Sequence, residues 1–220
     1  MYNKSDIELK VAEFLLQIKA IKLQPNNPFT WASGWKSPIY CDNRITLSHP
    51  AVRTYIRQKL SQLIQEEFGA VDVIAGVATA GIPQGALVAQ ELGLPFIYVR
   101  SKAKEHGTGS LIEGEVIEGQ RVAVIEDLIS TGKSSLQAIE GLRRAGLSVA
   151  GVVAIFTYGF DEAVANFAAA KCRFSALSNY QTLIDYAAEQ GFVGQNDIDL
   201  LNKWRENPAQ WGEEKAPVNS

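Results

Sequence analysis

Mostly apolar runs alternate with predicted helical segments through the middle of the chain. The apolar runs cover residues 71–76, 96–100, 122–125 and 149–157. Runs that are apolar at successive positions are typical of strands buried on both faces, as in a parallel sheet. The segments 82–92 and 134–145 are expected to be helices, and a glycine follows each one, as at many helix ends. The alternation predicts an α/β fold, with a parallel sheet covered by helices on both faces.

A different pattern occupies the amino-terminal part of the chain. Ser5 and Glu8 have the spacing of a capping box, and apolar residues recur at helical spacing behind them, which predicts a helix to about Lys19. Residues 28–47 are rich in aromatic residues, proline and glycine, and we expect short extended stretches there. A second helix is expected over residues 50–68, because proline is favourable at the first helical position.

The two patterns divide the chain within one structural domain. We assign residues 1–70 to an amino-terminal section, 71–212 to the α/β core with its carboxyl-terminal helices, and 213–220 to a flexible tail. Trp204 and Trp211, near the end of the core, are interpreted as packing residues.

The segment 122–135, VAVIEDLISTGKSS, carries the most chemical information. Its strand leads to Glu126 and Asp127 at the carboxyl end, where open α/β sheets bind ligands. The turn that follows exposes backbone N–H groups at a helix start, which is a site for a phosphate. Carboxylates suit sugar hydroxyls and a metal ion, so the segment fits a phosphoribosyl group.

Two alternatives compete for this segment. Residues 132–134, Gly-Lys-Ser, match the end of a Walker A loop, but Asp127 stands where the first glycine belongs and Glu126 precedes it. Two negative charges at these positions would repel the β-phosphate of a bound nucleotide. The second alternative is an ordinary strand-to-helix turn, in which Ser130 or Thr131 caps the helix and the acids are solvated. The paired acids after an apolar strand favour the phosphoribosyl interpretation.

Two further loops follow predicted strands. Basic residues alternate after the strand 96–100 and glycines succeed them; these are Arg100, Lys102, Lys104 and His106, then Gly107, Gly109 and Gly114. Such a loop can close over a polyanion, although most charge runs are solvated. Residues 77–81, Val-Ala-Thr-Ala-Gly, are small enough to let the backbone approach a ligand, and tight strand-helix packing requires the same residues.

The composition and charge of the chain limit the classes of protein to which it can belong. The chain has 220 residues, 46% of them hydrophobic, and a net charge of -3. Its mild acidity argues against nonspecific nucleic-acid binding. No apolar run approaches the roughly 18 to 20 residues that span a bilayer, and the start of the chain lacks the features of a signal peptide. We therefore expect a cytoplasmic protein that binds neither nucleic acid nor membrane. Cys41 and Cys172 lack metal-ligand spacing and are expected to be free thiols.

Three segments together resemble a known family. Residues 122–135 resemble the signature of type I phosphoribosyltransferases, which bind phosphoribosyl pyrophosphate (PRPP). Residues 98–107 resemble the mobile catalytic loop of orotate phosphoribosyltransferases, and residues 29–40 resemble their amino-terminal substrate segment. The resemblance implies the type I phosphoribosyltransferase fold with a small amino-terminal hood. It also implies transfer of the phosphoribosyl group from PRPP to orotate, in the synthesis of UMP. The alternatives are transfer to another base and a non-catalytic PRPP-sensing regulator.

The resemblance also implies roles for individual residues. The implied PRPP contacts are Arg100, Lys104, His106, Glu126, Asp127, Leu128, Ile129, Ser130, Thr131, Gly132, Lys133 and Ser134. Among them, Asp127, Lys104 and His106 are the implied catalytic residues. Ser130 and Tyr40 are the implied contacts to orotate. Mg²⁺ is the implied cofactor, bound mainly through substrate and water without dedicated protein ligands. A homodimer is implied, in which the loop 100–109 reaches the partner subunit's site.

The chain departs from the family pattern at several positions. Ser101 stands where many relatives have a lysine, and Lys102 comes one place later. Ala32 and Ala80 also replace lysines of some relatives. Residues 158–160, Tyr-Gly-Phe, lack the arginine that binds the base carboxylate in some relatives. The sequence therefore leaves the partner of the orotate carboxylate open.

Overall fold

The computed structural model describes residues 4–31, 34–101 and 111–211. Within these ranges the amino-terminal part contains α-helices and two small antiparallel sheets. Its elements are α1 (Lys4–Gln17), β1 (Ile21–Leu23), β2 (Phe29–Thr30), β3 (Lys36–Ser37), β4 (Ile39–Cys41), a 3₁₀ helix (Asn43–Ser48) and α2 (Pro50–Phe68). Strand β1 pairs with β4, and β2 pairs with β3.

A six-stranded sheet forms the centre of the molecule. Its strands and the helices that connect and follow them are β5 (Val73–Val77), α3 (Gly81–Leu92), β6 (Phe96–Val99), β7 (Ile112–Glu113), β8 (Arg121–Ile129), α4 (Lys133–Arg144), β9 (Ser148–Thr157), α5 (Asp161–Ala169), β10 (Phe174–Asn179), α6 (Tyr180–Glu189) and α7 (Gln195–Glu206). The strand order is β10-β9-β8-β5-β6-β7. Only β7 pairs antiparallel, with β6, and the other neighbours are parallel. The predicted α/β fold with a parallel sheet is confirmed.

The sheet is buried on both faces because successive strand residues point to opposite sides. Ile74 and Ile125 belong to the apolar cluster that includes residues of α1, α2, α3, α6 and α7. Val73 and Val124 belong to the cluster on the other face, with α4 and α5. All four side chains are fully buried. Burying one such side chain contributes about 1.5–3 kcal/mol, so packing from both sides fixes the strands and the loops at their ends.

The signature strand is longer than predicted. The apolar pattern predicts a strand that ends at Ile125, whereas β8 ends at Ile129. Pairing with β9 continues past the apolar run, with Glu126 opposite Ala154 and Leu128 opposite Phe156. The paired acids therefore belong to the regular strand, which holds their backbone in place.

The first helix is shorter than predicted. It ends at Gln17, and Lys19 adopts a left-handed conformation with a φ of 58°. The chain reverses there, so that Ile21 pairs with Cys41. The other predicted helices and strands agree with the structure to within two residues at each end.

No helix in the described ranges is long and apolar enough to cross a membrane. The domain boundary at residue 70 stays a prediction. The tail predicted at 213–220 lies outside the described residues.

Candidate functional site

A cavity of about 330 Å³ opens where β5 and β8 approach their carboxyl ends. Its lining comes from the amino-terminal segment, the loop after β5, the end of β8 and the start of α4. The lining residues are Cys41, Asp42, Arg44, Ala78, Thr79, Ala80, Glu126, Asp127, Leu128 and Ser134. The cavity thus lies at the edge of the sheet where α/β folds bind ligands.

Glu126 is the buried acid of this cavity, with 5% of its surface exposed. Its Oε2 accepts hydrogen bonds from the hydroxyls of Ser134 at 3.2 Å and Ser135 at 3.1 Å. Its Oε1 accepts one from the backbone N–H of Asp127 at 3.2 Å. Burial is the largest cause that raises the pKa of Glu126 to about 8, and the negative charge of Asp127 is the second. The serines therefore orient a carboxyl group that readily holds a proton.

Asp127 lies beside Glu126 and is held through its backbone. Its carbonyl oxygen accepts a 2.7 Å hydrogen bond from Nδ2 of Asn43. Burial raises the pKa of the Asp127 carboxyl group, and hydrogen bonding acts in the opposite direction. Two adjacent carboxyl groups at the wall of a cavity can accept hydrogen bonds from neighbouring hydroxyl groups, as a ribose diol provides.

The turn after β8 presents the amino terminus of α4. Gly132 has a φ of +80°, and a Cβ on it would lie 2.7 Å from the Phe167 ring, so this turn requires glycine. Nδ2 of Asn166 donates to the carbonyl oxygen of Thr131 at 3.1 Å. The first N–H groups of a helix have no partner within the helix, and they favour an anion. A phosphate therefore fits at this turn.

The loop after β5 is packed as tightly as its small residues suggest. A Cβ on Gly76 would lie 2.7 Å from the carbonyl oxygen of Gly81, and one on Gly81 would lie 2.5 Å from that of Ile125. The peptide bond between Ala78 and Thr79 is cis. Packing accounts for the two glycines, whereas residues 78–80 line the cavity.

A chain of buried polar side chains joins the amino-terminal segment to this site. Nε2 of Gln84 donates to Oγ1 of Thr46 at 3.0 Å, and Oγ1 of Thr46 donates to the carbonyl oxygen of Asn43 at 2.6 Å. Asn43 in turn donates to Asp127. All three side chains are at most 2% exposed. This buried relay (Gln84, Thr46, Asn43) fixes the 3₁₀ helix relative to β8 and α3.

Arg44, whose cationic side chain lines this cavity, belongs to the same 3₁₀ helix. Nε of Arg44 lies 2.6 Å from Oδ1 of Asp42, and Nη2 lies 2.9 Å from Oδ2. Oδ1 also accepts from the backbone N–H of Arg44 at 3.2 Å, which caps the 3₁₀ helix. This bonding lowers the pKa of Asp42, so the pair is charged at neutral pH.

The two residues predicted to contact orotate are Tyr40 and Ser130. Tyr40 is 38% exposed and lies against Phe29, with ring centroids 5.5 Å apart. It does not line the cavity, although Cys41 does. Ser130 is half-buried directly after β8. Their roles stay predictions.

The other implied PRPP contacts differ in exposure. Leu128 lines the cavity, while the side chain of Ile129 is buried in the core, which leaves only its backbone for a ligand. Lys133 is exposed at the start of α4.

Arg100 marks a second cavity of about 290 Å³ beside the first. The two cavities share Ala78 and Ser134. Nη1 of Arg100 lies 3.6 Å from Oε1 of Glu113, which leaves the guanidinium half-exposed. The remaining basic residues predicted for this loop, Lys102, Lys104 and His106, lie outside the described residues.

Several site residues were not predicted from the sequence. Asn43 and Arg44 line or support the cavity, and Ser135 orients Glu126. The signal for the first two was the polar triplet at 42–44, directly after Tyr40 and Cys41. Gln84 gives no such signal, since a lone glutamine in a helix is usually solvated.

The two other positions interpreted from the sequence are the cysteines and the carboxyl-terminal tryptophans. Cys41 and Cys172 are free, as predicted. Trp204 is fully buried, with its ring 5.6 Å from those of Trp31 and Tyr158. Trp211 packs against the same apolar cluster.

Comparisons with known proteins agree on one family. Residues 45–179 match the family described as the phosphoribosyl transferase domain. The chain is 57% identical to an orotate phosphoribosyltransferase of Phocaeicola vulgatus over 205 residues, which are 93% of this chain and 97% of the relative. It is 55% identical to that of Listeria innocua over 94% of this chain and 99% of the relative. The solved orotate phosphoribosyltransferase of Aeropyrum pernix is similar with a TM-score of 0.73 and 29% identity, over 84% of this chain and 99% of that one.

Proposed function

The chain belongs to the orotate phosphoribosyltransferases, and we propose that it transfers the 5-phosphoribosyl group of PRPP to orotate. The products are orotidine 5'-monophosphate and pyrophosphate, on the route to UMP. The observation that carries the proposal is the pair of adjacent acids, Glu126 and Asp127, at a cavity that also receives the amino terminus of α4. A ribose diol and a phosphate on one molecule match these two features.

The acids bind the ribose in this proposal. The 2- and 3-hydroxyls of the ribose donate to the carboxyl groups of Glu126 and Asp127, and Ser134 and Ser135 hold Glu126 in orientation. A carboxylate accepts hydrogen bonds only, whereas a protonated carboxyl group also donates one. Binding of the diol therefore favours the ionised form of Glu126.

The turn after β8 binds the 5-phosphate. Residues 130–134 offer the backbone N–H groups of a helix start, and Lys133 adds a positive charge at its exposed edge. In this proposal the phosphate binds a few residues beyond the acids along the chain, just as the 5-phosphate of PRPP follows the ribose hydroxyls.

The reaction displaces pyrophosphate from the anomeric carbon by a ring nitrogen of the base. Breaking that bond gives positive charge to the ribose and negative charge to the leaving group, as in glycoside chemistry. Fixed charges stabilise both. In this proposal the carboxylates stabilise the ribose, and the positive charges of Arg100, Lys104 and His106 stabilise the pyrophosphate. Closure of the loop 100–109 excludes water that would hydrolyse PRPP.

Mg²⁺ is the proposed cofactor. No group of three or more potential metal-ligating side chains occurs among the described residues. Two adjacent carboxyl groups fit a cation that is bound mostly by phosphate oxygens and water. Glu126 and Asp127 would hold it through water. When bound, the cation neutralises charge on the pyrophosphate.

The assembly proposed is a symmetric homodimer in the cytoplasm. A cationic loop that completes the neighbour's site makes the dimer necessary for activity. The support for this is the position of Arg100 at the start of that loop, where it lines the second cavity beside the first.

The experiment that tests the proposed function is a competition among bases. The protein is incubated with PRPP, Mg²⁺ and an equimolar mixture of orotate, uracil, adenine, guanine and hypoxanthine. We expect a single nucleotide product, orotidine 5'-monophosphate. A purine nucleotide as the main product would assign the chain to another base.

A further inference from the structure

The cavity lined by Glu126 and Asp127 has more acidic than basic side chains, which is unfavourable for an anionic base. Its described lining contains three carboxyl groups, of Asp42, Glu126 and Asp127, and the guanidinium of Arg44 is the single cationic side chain there. Orotate carries a carboxylate beside the ring nitrogen that is glycosylated. Like charges at close range repel, so an anionic base needs a cation at this wall.

The guanidinium of Arg44 has donors left for a ligand. Its bonds to Asp42 use Nε and Nη2, and a guanidinium offers five N–H groups. The side chain is 60% exposed, so the remaining donors are accessible. Because Asp42 holds the planar group in a fixed orientation, little conformational entropy is lost when a second carboxylate binds.

The position of Arg44 relative to Asp127 is also fixed. Its neighbour Asn43 is 1% exposed and donates to the backbone of Asp127. Arg44 lies near enough to Asp127 for the charges of the two side chains to interact. A base attached to a ribose at Asp127 would therefore lie in the same cavity as Arg44.

We propose that Arg44 binds the carboxylate of orotate, and that Asp42 is a positioning residue that holds the guanidinium. The inference rests on the proposed function and adds the residue that selects the base. It supplies the positive charge that residues 158–160 lack. Arginine suits this role because its fork forms paired hydrogen bonds with a carboxylate.

Steady-state kinetics of three variants tests the proposal. Arg44→Gln removes the charge, and Arg44→Lys keeps the charge but loses the fork. Lys22→Gln is the matched control, since Lys22 is an exposed cation on β1 whose charge also acts on Asp42 but which does not line the cavity. KM is measured for orotate and for PRPP, and thermal unfolding shows that each variant is folded.

Loss of a charge-assisted hydrogen bond corresponds to a change of roughly 10- to 100-fold in binding. We expect Arg44→Gln to raise the KM of orotate by about this factor, with Arg44→Lys between it and the wild type. The KM of PRPP should match that of Lys22→Gln in both variants. An orotate KM for Arg44→Gln equal to that of Lys22→Gln would overturn the proposal, as would a rise confined to the KM of PRPP.

The two hypotheses fail in different ways. If the wild-type protein does not consume orotate, the proposed function is wrong. If the wild type consumes orotate and Arg44→Gln does so with the same KM, only the role of Arg44 is wrong. Should Arg44→Gln fail to fold, Arg44→Lys alone decides, because an orotate KM unchanged from the wild type would contradict binding by the fork.

Discussion

The side-chain amide of Asn43 donates a 2.7 Å hydrogen bond to the main-chain carbonyl oxygen of Asp127, 84 positions further along the chain. The bond joins the amino-terminal segment to the strand that carries both acids. Asn43 is buried, so its amide cannot exchange this partner for water. Together with the rest of the buried relay, this bond fixes the relative position of the two halves of the cavity.

Replacing Asn43 with alanine should destabilise the protein. A buried carbonyl oxygen that loses its donor costs about 1–3 kcal/mol, so the free energy of unfolding should fall by that amount. Urea unfolding measures the change. Asn27→Ala is the control, because Asn27 is an exposed asparagine in the same amino-terminal part. The free energy of unfolding of this variant should differ little from that of the wild type. Equal effects of the two variants would show that the bond to Asp127 does not stabilise the fold.

The stability of the ligand-free protein should fall as pH rises from about 4.5 to about 8. Glu126 has a pKa raised from its ordinary 4.5 to about 8, so in this window the folded state keeps a proton that the unfolded state releases. Each increase in pH then favours the unfolded state, by up to about 1.4 kcal/mol per unit. Below this window both states hold the proton, and the full contribution is present.

The variant Glu126→Gln isolates this effect. The free energy of unfolding is measured by urea at pH 5, 6, 7 and 8 for the wild type, for Glu126→Gln and for Glu189→Gln, which alters an exposed glutamate at the end of α6. We expect the difference between wild type and Glu126→Gln to shrink with pH, whereas Glu189→Gln should follow the wild type. Parallel curves for wild type and Glu126→Gln would exclude a protonated Glu126.

Replacing Asp127 with asparagine should impair use of PRPP. The amide cannot carry the charge that accepts from the ribose hydroxyls, so kcat/KM for PRPP should fall by roughly 10- to 100-fold or more. The control Asp185→Asn removes a carboxylate from the exposed face of α6 and should leave the rate unchanged. A wild-type rate for Asp127→Asn would remove this residue from the site.

Mixing two impaired variants tests the shared loop. Lys104→Ala is defective in the loop and Asp127→Asn in the cavity, so a mixed dimer has one site with both defects and one with neither. After random exchange of subunits, about a quarter of wild-type activity should return. If the mixture is no more active than the separate variants, each subunit works with its own loop.

The central fold could be predicted from the sequence because burial leaves a direct trace. An apolar run such as 149–157 is buried completely only when helices cover both faces of the sheet. Strand β9 matches that run to within one residue at its start. The end of β8 could not be predicted in this way. Glu126 and Asp127 interrupt the apolar pattern, although their backbone continues to pair with β9.

The site was predictable to the extent that its residues are consecutive. Residues 126–134 form a local unit, so their proximity follows from the chain itself. Arg44 and Asn43 reach the same cavity only through tertiary packing, and their bonds to Asp42 and Asp127 depend on the path of the 3₁₀ helix. A polar triplet after Cys41 could equally well have been a solvated turn.

The most direct test of the assigned activity is a single reaction that follows all four compounds. Purified protein is supplied with Mg²⁺ and equal amounts of orotate and PRPP labelled in the ribose, and the Asp127→Asn variant serves as the control. We expect orotate and PRPP to disappear together, and labelled orotidine 5'-monophosphate and pyrophosphate to appear in equal amounts. Unchanged orotate in the presence of active, folded protein and intact PRPP would contradict this expectation.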